Sequence, residues 1–146
     1  MSDSARALVD RGDLIELVAR YSQALNSGRF DELEGLFAAN ARFLTPGREA
    51  AMPEPVVGPA AIRAAVESRY ATVGTGAQMR HVIAATTIDE LADHTARARS
   101  VLLLVATPRG GLPALRASGV YRDSFVRADG RWWFEERVLT LDGQLS

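Results

Sequence analysis

The chain has 146 residues, with 17 basic and 18 acidic side chains, a formal net charge of −1 and no cysteine. The balanced charge excludes the electrostatic footprint of a nucleic-acid binder, and the missing cysteine excludes disulfides, thiol catalysis and cysteine metal sites. The opening stretch MSDSARALVDRGD has no apolar run after its charges, and the longest such run, 101–106, is too short to span a bilayer, so a soluble cytoplasmic domain over 1–146 is expected.

Leu14, Leu17, Val18, Tyr21, Ala24 and Leu25 recur at three- and four-residue spacing, which predicts an amphipathic helix over 13–27. Asp13 and Glu16 have capping-box spacing at its start, and Gly28 is placed to stop it. A shorter helix is expected next, with Phe30, Leu33, Leu36 and Phe37 on one side, followed by a short strand at 41–44. Residues 45–59 hold four of the six prolines and two glycines, which marks a loop. Pro59 suits the first turn of a third helix, 59–72, with Ile62, Val66 and Tyr70 inward.

From residue 78 the pattern turns to strands, expected over 78–89, 93–107, 114–127 and 131–141. Asp129–Gly130 between apolar runs is a hairpin signal. Helices first and an antiparallel meander afterwards predict an α+β fold with helices on one face of a curved sheet. Both faces of 96–106 carry apolar residues, which suggests that the convex face is also covered.

The segments RYSQALNSGRFDELEGLFAANARF, GPAAIRAAV, RHVIAATTI and SGVYRDSFVRADGRWWFEER, in that order, resemble the SnoaL-like branch of the nuclear-transport-factor-2-like superfamily. The resemblance covers about residues 10–142. It implies a cone-shaped α+β barrel: three N-terminal helices packed on a strongly curved, mostly antiparallel sheet, with a deep apolar pocket at the open end. Relatives of this kind include scytalone dehydratase, ketosteroid isomerase, limonene epoxide hydrolase and aldol-type polyketide cyclases, besides plain binding and dimerisation modules. Fold alone therefore does not fix the chemistry. The family habit also implies a homodimer through the convex sheet face.

His81 is the first candidate site residue. Alternation places Met79, His81, Ile83 and Ala85 on one strand face, and an imidazole among apolar neighbours is expected to be neutral. The family motif commonly carries an aspartate where this chain has Asn26, and another where it has Arg29. An amide can hydrogen-bond the histidine or a substrate oxygen but cannot act as a base near neutrality, so the His–Asp pairing of the dehydratases is not available here. Tyr21 on the buried stripe of the first helix could donate to a substrate carbonyl. Asp123 shares a strand face with Gly119, Tyr121 and Phe125; it is either an acid–base group or the partner of Arg137 or Arg131. Tyr70, Met79, Tyr121, Trp132 and Phe43 are the expected substrate-binding residues. Two histidines without carboxylates at ligand spacing predict no metal site, and no cofactor is expected.

Two functions fit these residues. One is a cofactor-independent enzyme acting on an apolar, oxygenated small molecule, with a polyketide cyclase foremost and a dehydratase or ketosteroid-isomerase-like enzyme beside it. The other is a non-catalytic ligand-binding or dimerisation module of the same fold.

Overall fold

The structure is a computed structural model and describes residues 1–47, 55–73 and 76–143. Helix α1 spans Asp3–Asn26 and starts ten residues earlier than its apolar spacing predicts. The side chain of Ser2 caps it by accepting from the Ala5 amide at 3.2 Å, so Asp13 and Glu16 are interior residues and not a capping box. Gly12 does not break the helix, since an interior glycine costs only about 1 kcal/mol. The C-terminus ends as expected at Gly28, whose φ is +67°. The Gly28 amide donates to Leu25 and the Arg29 amide to Ala24, the paired bonds of a Schellman stop.

A 3₁₀ helix, Phe30–Leu36, follows and buries Leu33 and Leu36. Strand β1 runs Phe37–Leu44, longer than the expected 41–44, and β2 is Val56–Val57. Residues 48–54 of the proline-rich stretch lie outside the described residues. Helix α2 is Pro59–Val73, with Ile62 and Val66 buried. Then come β3 (Ala77–Leu91), β4 (Thr95–Pro108), β5 (Ala114–Ala128) and β6 (Arg131–Leu141). Asp129 and Gly130 both take positive φ, as the tight β5–β6 turn requires. Among the described residues, no helix is long and apolar enough to cross a membrane.

The six strands form one mixed sheet in the order β2-β1-β6-β5-β4-β3, antiparallel except for the β1–β6 pair. The sheet curls around the helices without closing, so β2 and β3 remain its edges. Its inner face and the helices share one core built on Leu14, Tyr21, Leu33, Phe37, Ile62, Leu102, Phe125 and Phe134.

Of the sheet's register shifts, three bear on the residues that matter here. In β3 the pairing with β4 gains one residue between Ala84 and Thr87. Met79 and His81 are buried before it, Thr86 and Ile88 turn inward after it, and Ala85 is exposed. The expectation that Ala85 shares the His81 face is therefore corrected. Ala85 sits at φ +52°, a left-handed conformation that strains an L-residue by about 1–2 kcal/mol. Ala85→Gly is expected to raise stability by about 0.5–1 kcal/mol after the added chain entropy of glycine is subtracted. Urea melts would show this, and an unchanged or lower midpoint would contradict it. The second bulge lies opposite Ser124–Phe125 and inserts Glu135 into β6, which turns Arg137 inward. The third, in β5, inserts Arg116 opposite Leu104–Val105.

Candidate functional site

Between α1, α2 and the inner face of the sheet lies a cavity of about 170 Å³. Leu25, Phe43, Val66, Met79, Leu102, Leu104, Leu139 and Leu141 supply its apolar wall. Its polar groups are Tyr21, Tyr70, His81, Tyr121, Arg69 and Arg116. The described residues that line it include no aspartate or glutamate.

His81 is the hub of these groups. Its Nε2 lies 2.8 Å from the Tyr121 hydroxyl and its Nδ1 lies 3.3 Å from the Tyr70 hydroxyl. The Tyr21 ring meets those of Tyr121 and His81 edge-on, with centroids 6.2 Å and 5.9 Å apart. Burial, with the positive charges of Arg137 and Arg69, drives the His81 pKa down to about 3, so the ring is neutral at physiological pH. A neutral imidazole has one N–H and one lone pair. Hence one tyrosine accepts from it and the other donates to it. Burial likewise raises the pKa of Tyr21, Tyr70 and Tyr121, which keeps all three as hydroxyl donors.

The strand that carries His81 is held in place by α1. The Asn26 Oδ1 accepts from the His81 amide at 2.6 Å, and its Nδ2 donates to the His81 carbonyl at 3.4 Å. The Ser22 hydroxyl donates to that same carbonyl. Asn26 thus meets the backbone of His81 and not its ring, which corrects the expectation of an amide facing the imidazole or a substrate oxygen. An aspartate could accept from the amide but could not donate to the carbonyl, so asparagine suits both halves of this clamp. Asn26→Ala is expected to cost about 1–2 kcal/mol, because it leaves the buried strand amide without an acceptor. Thermal melts test this, and an unshifted midpoint would remove the clamp from the account.

Asp123 and Trp132 are not brought to the cavity. Asp123 pairs with Arg137 on the neighbouring strand: Nε lies 3.0 Å from Oδ1, and Nη2 donates to Oδ2 at 3.3 Å, with both side chains fully buried. The Arg137 guanidinium carbon lies 4.2 Å from the Tyr21 ring centre and 3.7 Å from that of Tyr121. A cation therefore underlies two of the hydroxyl-bearing rings. Trp132 is buried elsewhere, where its indole N–H donates to Asp10 at 3.1 Å alongside Arg127 at 2.8 Å. Asp10 thereby ties the first half of α1 to the β5–β6 hairpin.

Of the residues expected at the site, Tyr21, Phe43, Tyr70, Met79, His81 and Tyr121 converge on the cavity. Sequence reasoning missed Arg69, Arg116 and Ser22, and named Arg137 only as a possible partner of Asp123, which it is. Arg69 follows Val66 by three positions on α2, a helical spacing that could have drawn attention to it. Arg116 and Arg137 depend on bulges that no periodicity reveals.

Against this geometry stand the comparisons with known proteins. The family model described as SnoaL-like domain matches residues 6–138. A solved protein of Catenulispora acidiphila is 30% identical, with a TM-score of 0.79 over 97% of this chain and 96% of that one. A Catenulispora acidiphila structure in complex with S-DNPA is 29% identical, with a TM-score of 0.77 over 92% and 94%. An NTF2-like protein with a cystatin-like fold from Novosphingobium aromaticivorans is 24% identical, with a TM-score of 0.80 over 96% and 87%, and shares the fold. No curated protein matches the chain.

Proposed function

The chain belongs to the family of SnoaL-like domains, and from that premise we propose that it takes up an apolar, oxygenated small molecule and promotes its ring closure or isomerisation, as a cofactor-independent polyketide cyclase does. The observation that carries this reading is His81, held between two tyrosine hydroxyls on the wall of an apolar cavity. The solved relative in complex with S-DNPA supports a small-molecule site.

The chemistry follows from the groups present. Apolar walls fold the substrate into a reactive conformer, an effect that can be worth several kcal/mol. A tyrosine hydroxyl whose proton is not spent on the imidazole donates to a carbonyl oxygen and holds the negative charge that grows there as an enolate forms. His81, with its pKa near 3, is too weak a base to take a proton from an ordinary carbon acid. It suits a carbon already activated by two flanking carbonyls, where relaying a proton between hydroxyls is enough.

The test separates turnover from binding. His81→Ala is assayed for both with candidate polyketide-like substrates, alongside the wild type. Loss of turnover with retained binding supports the enzyme. A wild type that binds such ligands and converts none fits a non-catalytic binder, a reading favoured by the lack of any acid among the described lining residues. In our reading the protein works as a homodimer through the outer sheet face, where Val82, Val101 and Leu103 are exposed side by side on β3 and β4. Light scattering at micromolar concentration should then give twice the mass of one chain, and a single-chain mass would sink the dimer.

A further inference from the structure

Two cations line the cavity besides its neutral polar groups. Arg69 reaches it from α2, half-exposed, and its charge is felt at both His81 and Tyr21. Arg116 reaches it from β5, as the inserted residue of the bulge opposite Leu104–Val105. A bulge re-aims a side chain that regular alternation would point elsewhere. The Arg116 side chain is exposed and makes no ion pair or side-chain hydrogen bond among the described residues. The nearest acid on the same strand, Asp123, is already bound by Arg137. Exposure places the arginines toward the solvent end, whereas His81, Tyr21 and Tyr121 are buried.

The cavity is therefore polar at both ends and apolar between, with hydrogen-bonding neutral groups inside and positive charge outside. From this we propose that Arg69 and Arg116 form a carboxylate subsite. The ligand class is then an apolar ring acid that directs an oxygen function toward His81 and its carboxylate toward the mouth. Guanidinium groups match the planar carboxylate in a two-point fork and remain charged at all relevant pH. Low-dielectric walls strengthen that attraction over its value in water. The cavity suits a ring: one of about 150 Å³ takes benzene, so about 170 Å³ takes one ring while the remainder occupies the mouth. The proposal rests on reading the cavity as a small-molecule site.

The probes are 6-hydroxy-2-naphthoic acid and its methyl ester, which differ only in the charge at one end. Dissociation constants are measured by fluorescence titration at low salt for the wild type, Arg69→Met, Arg116→Met and Arg116→Lys, with far-UV circular dichroism to confirm folding. The wild type should prefer the acid by about tenfold. Arg116→Met and Arg69→Met should each shrink that preference to about twofold or less, and Arg116→Lys, which keeps the charge but loses the fork, should keep only part of it. The preference should also weaken as salt is raised. Equal binding of acid and ester by the wild type overturns the subsite but leaves the cavity as a small-molecule site. Binding of neither probe overturns both.

Discussion

Asp123→Ala should destabilise the protein by about 3–5 kcal/mol, because it strands the Arg137 guanidinium in the core without a counter-charge. Both side chains of this pair are fully buried, so neither can recover its loss in water. The double replacement Asp123→Leu with Arg137→Met should recover most of that loss, since a buried ion pair is often no more stabilising than apolar side chains of similar volume. Urea denaturation of Asp123→Leu, Arg137→Met and the double variant tests this as a cycle. A double variant as unstable as the singles would mean that Arg137 matters for its stacking on Tyr21 and Tyr121 more than for its charge. Burial pushes the Asp123 pKa up to about 6, against the pull of Arg137. The fold therefore keeps the proton that the unfolded chain has already lost between about pH 4 and 6. Taken alone, Asp123 makes stability fall as pH rises through that window.

His81 should act in the opposite sense on stability and carry the largest effect on function. If the hydroxyl–imidazole relay does the chemistry, His81→Ala should lower turnover by about 10²–10³, the scale set by loss of one group that stabilises developing charge. Steady-state kinetics with a converted substrate would decide it, and turnover within about threefold of wild type would leave only the shape of the cavity as catalyst. Burial lowers the His81 pKa to about 3, while the unfolded ring titrates near 6.5. The unfolded state thus binds the extra proton first, and the stability contributed by neutral His81 is complete above pH 6.5 and lost as pH falls toward 3. The two buried groups oppose each other between pH 4 and 6. Asp123→Asn should steepen the acid loss of stability, and His81→Gln should flatten or reverse it. Proton NMR gives an independent check: the His81 ring signals should not titrate between pH 8 and 4.5.

Much of the fold was legible because its signals are local. β5 and β6 begin and end within a residue of their expected limits, and Asp129–Gly130 turns between them. The Gly28 stop and the α2 start at Pro59 were equally plain. The pocket residues His81, Met79 and Tyr121 could be assigned because each lies on a regular stretch of strand. What escaped lies beyond a bulge or depends on a partner distant in sequence. One inserted residue reverses which side chains face inward, and this moved Ala85 out. Trp132 looked like cavity wall because alternation gives a face but not a position along it, and Asp10 holds it elsewhere. Asn26 carried a signal, but its role depends on the backbone of a strand 55 residues away.

The clamp on His81 has a further effect at the rim of the sheet. β3 is an edge strand, and an unguarded edge offers a row of backbone donors and acceptors to any other extended chain. On this edge, Asn26 and Ser22 occupy the rung at His81, and Arg11 bonds the carbonyl of Ile88 at 3.2 Å. An intruding strand would have to strip helix α1 away before it could add to the sheet. The same residues that fix the imidazole also act against fibril growth by edge addition, so a variant that loosens Asn26 should become more prone to aggregate as well as less stable.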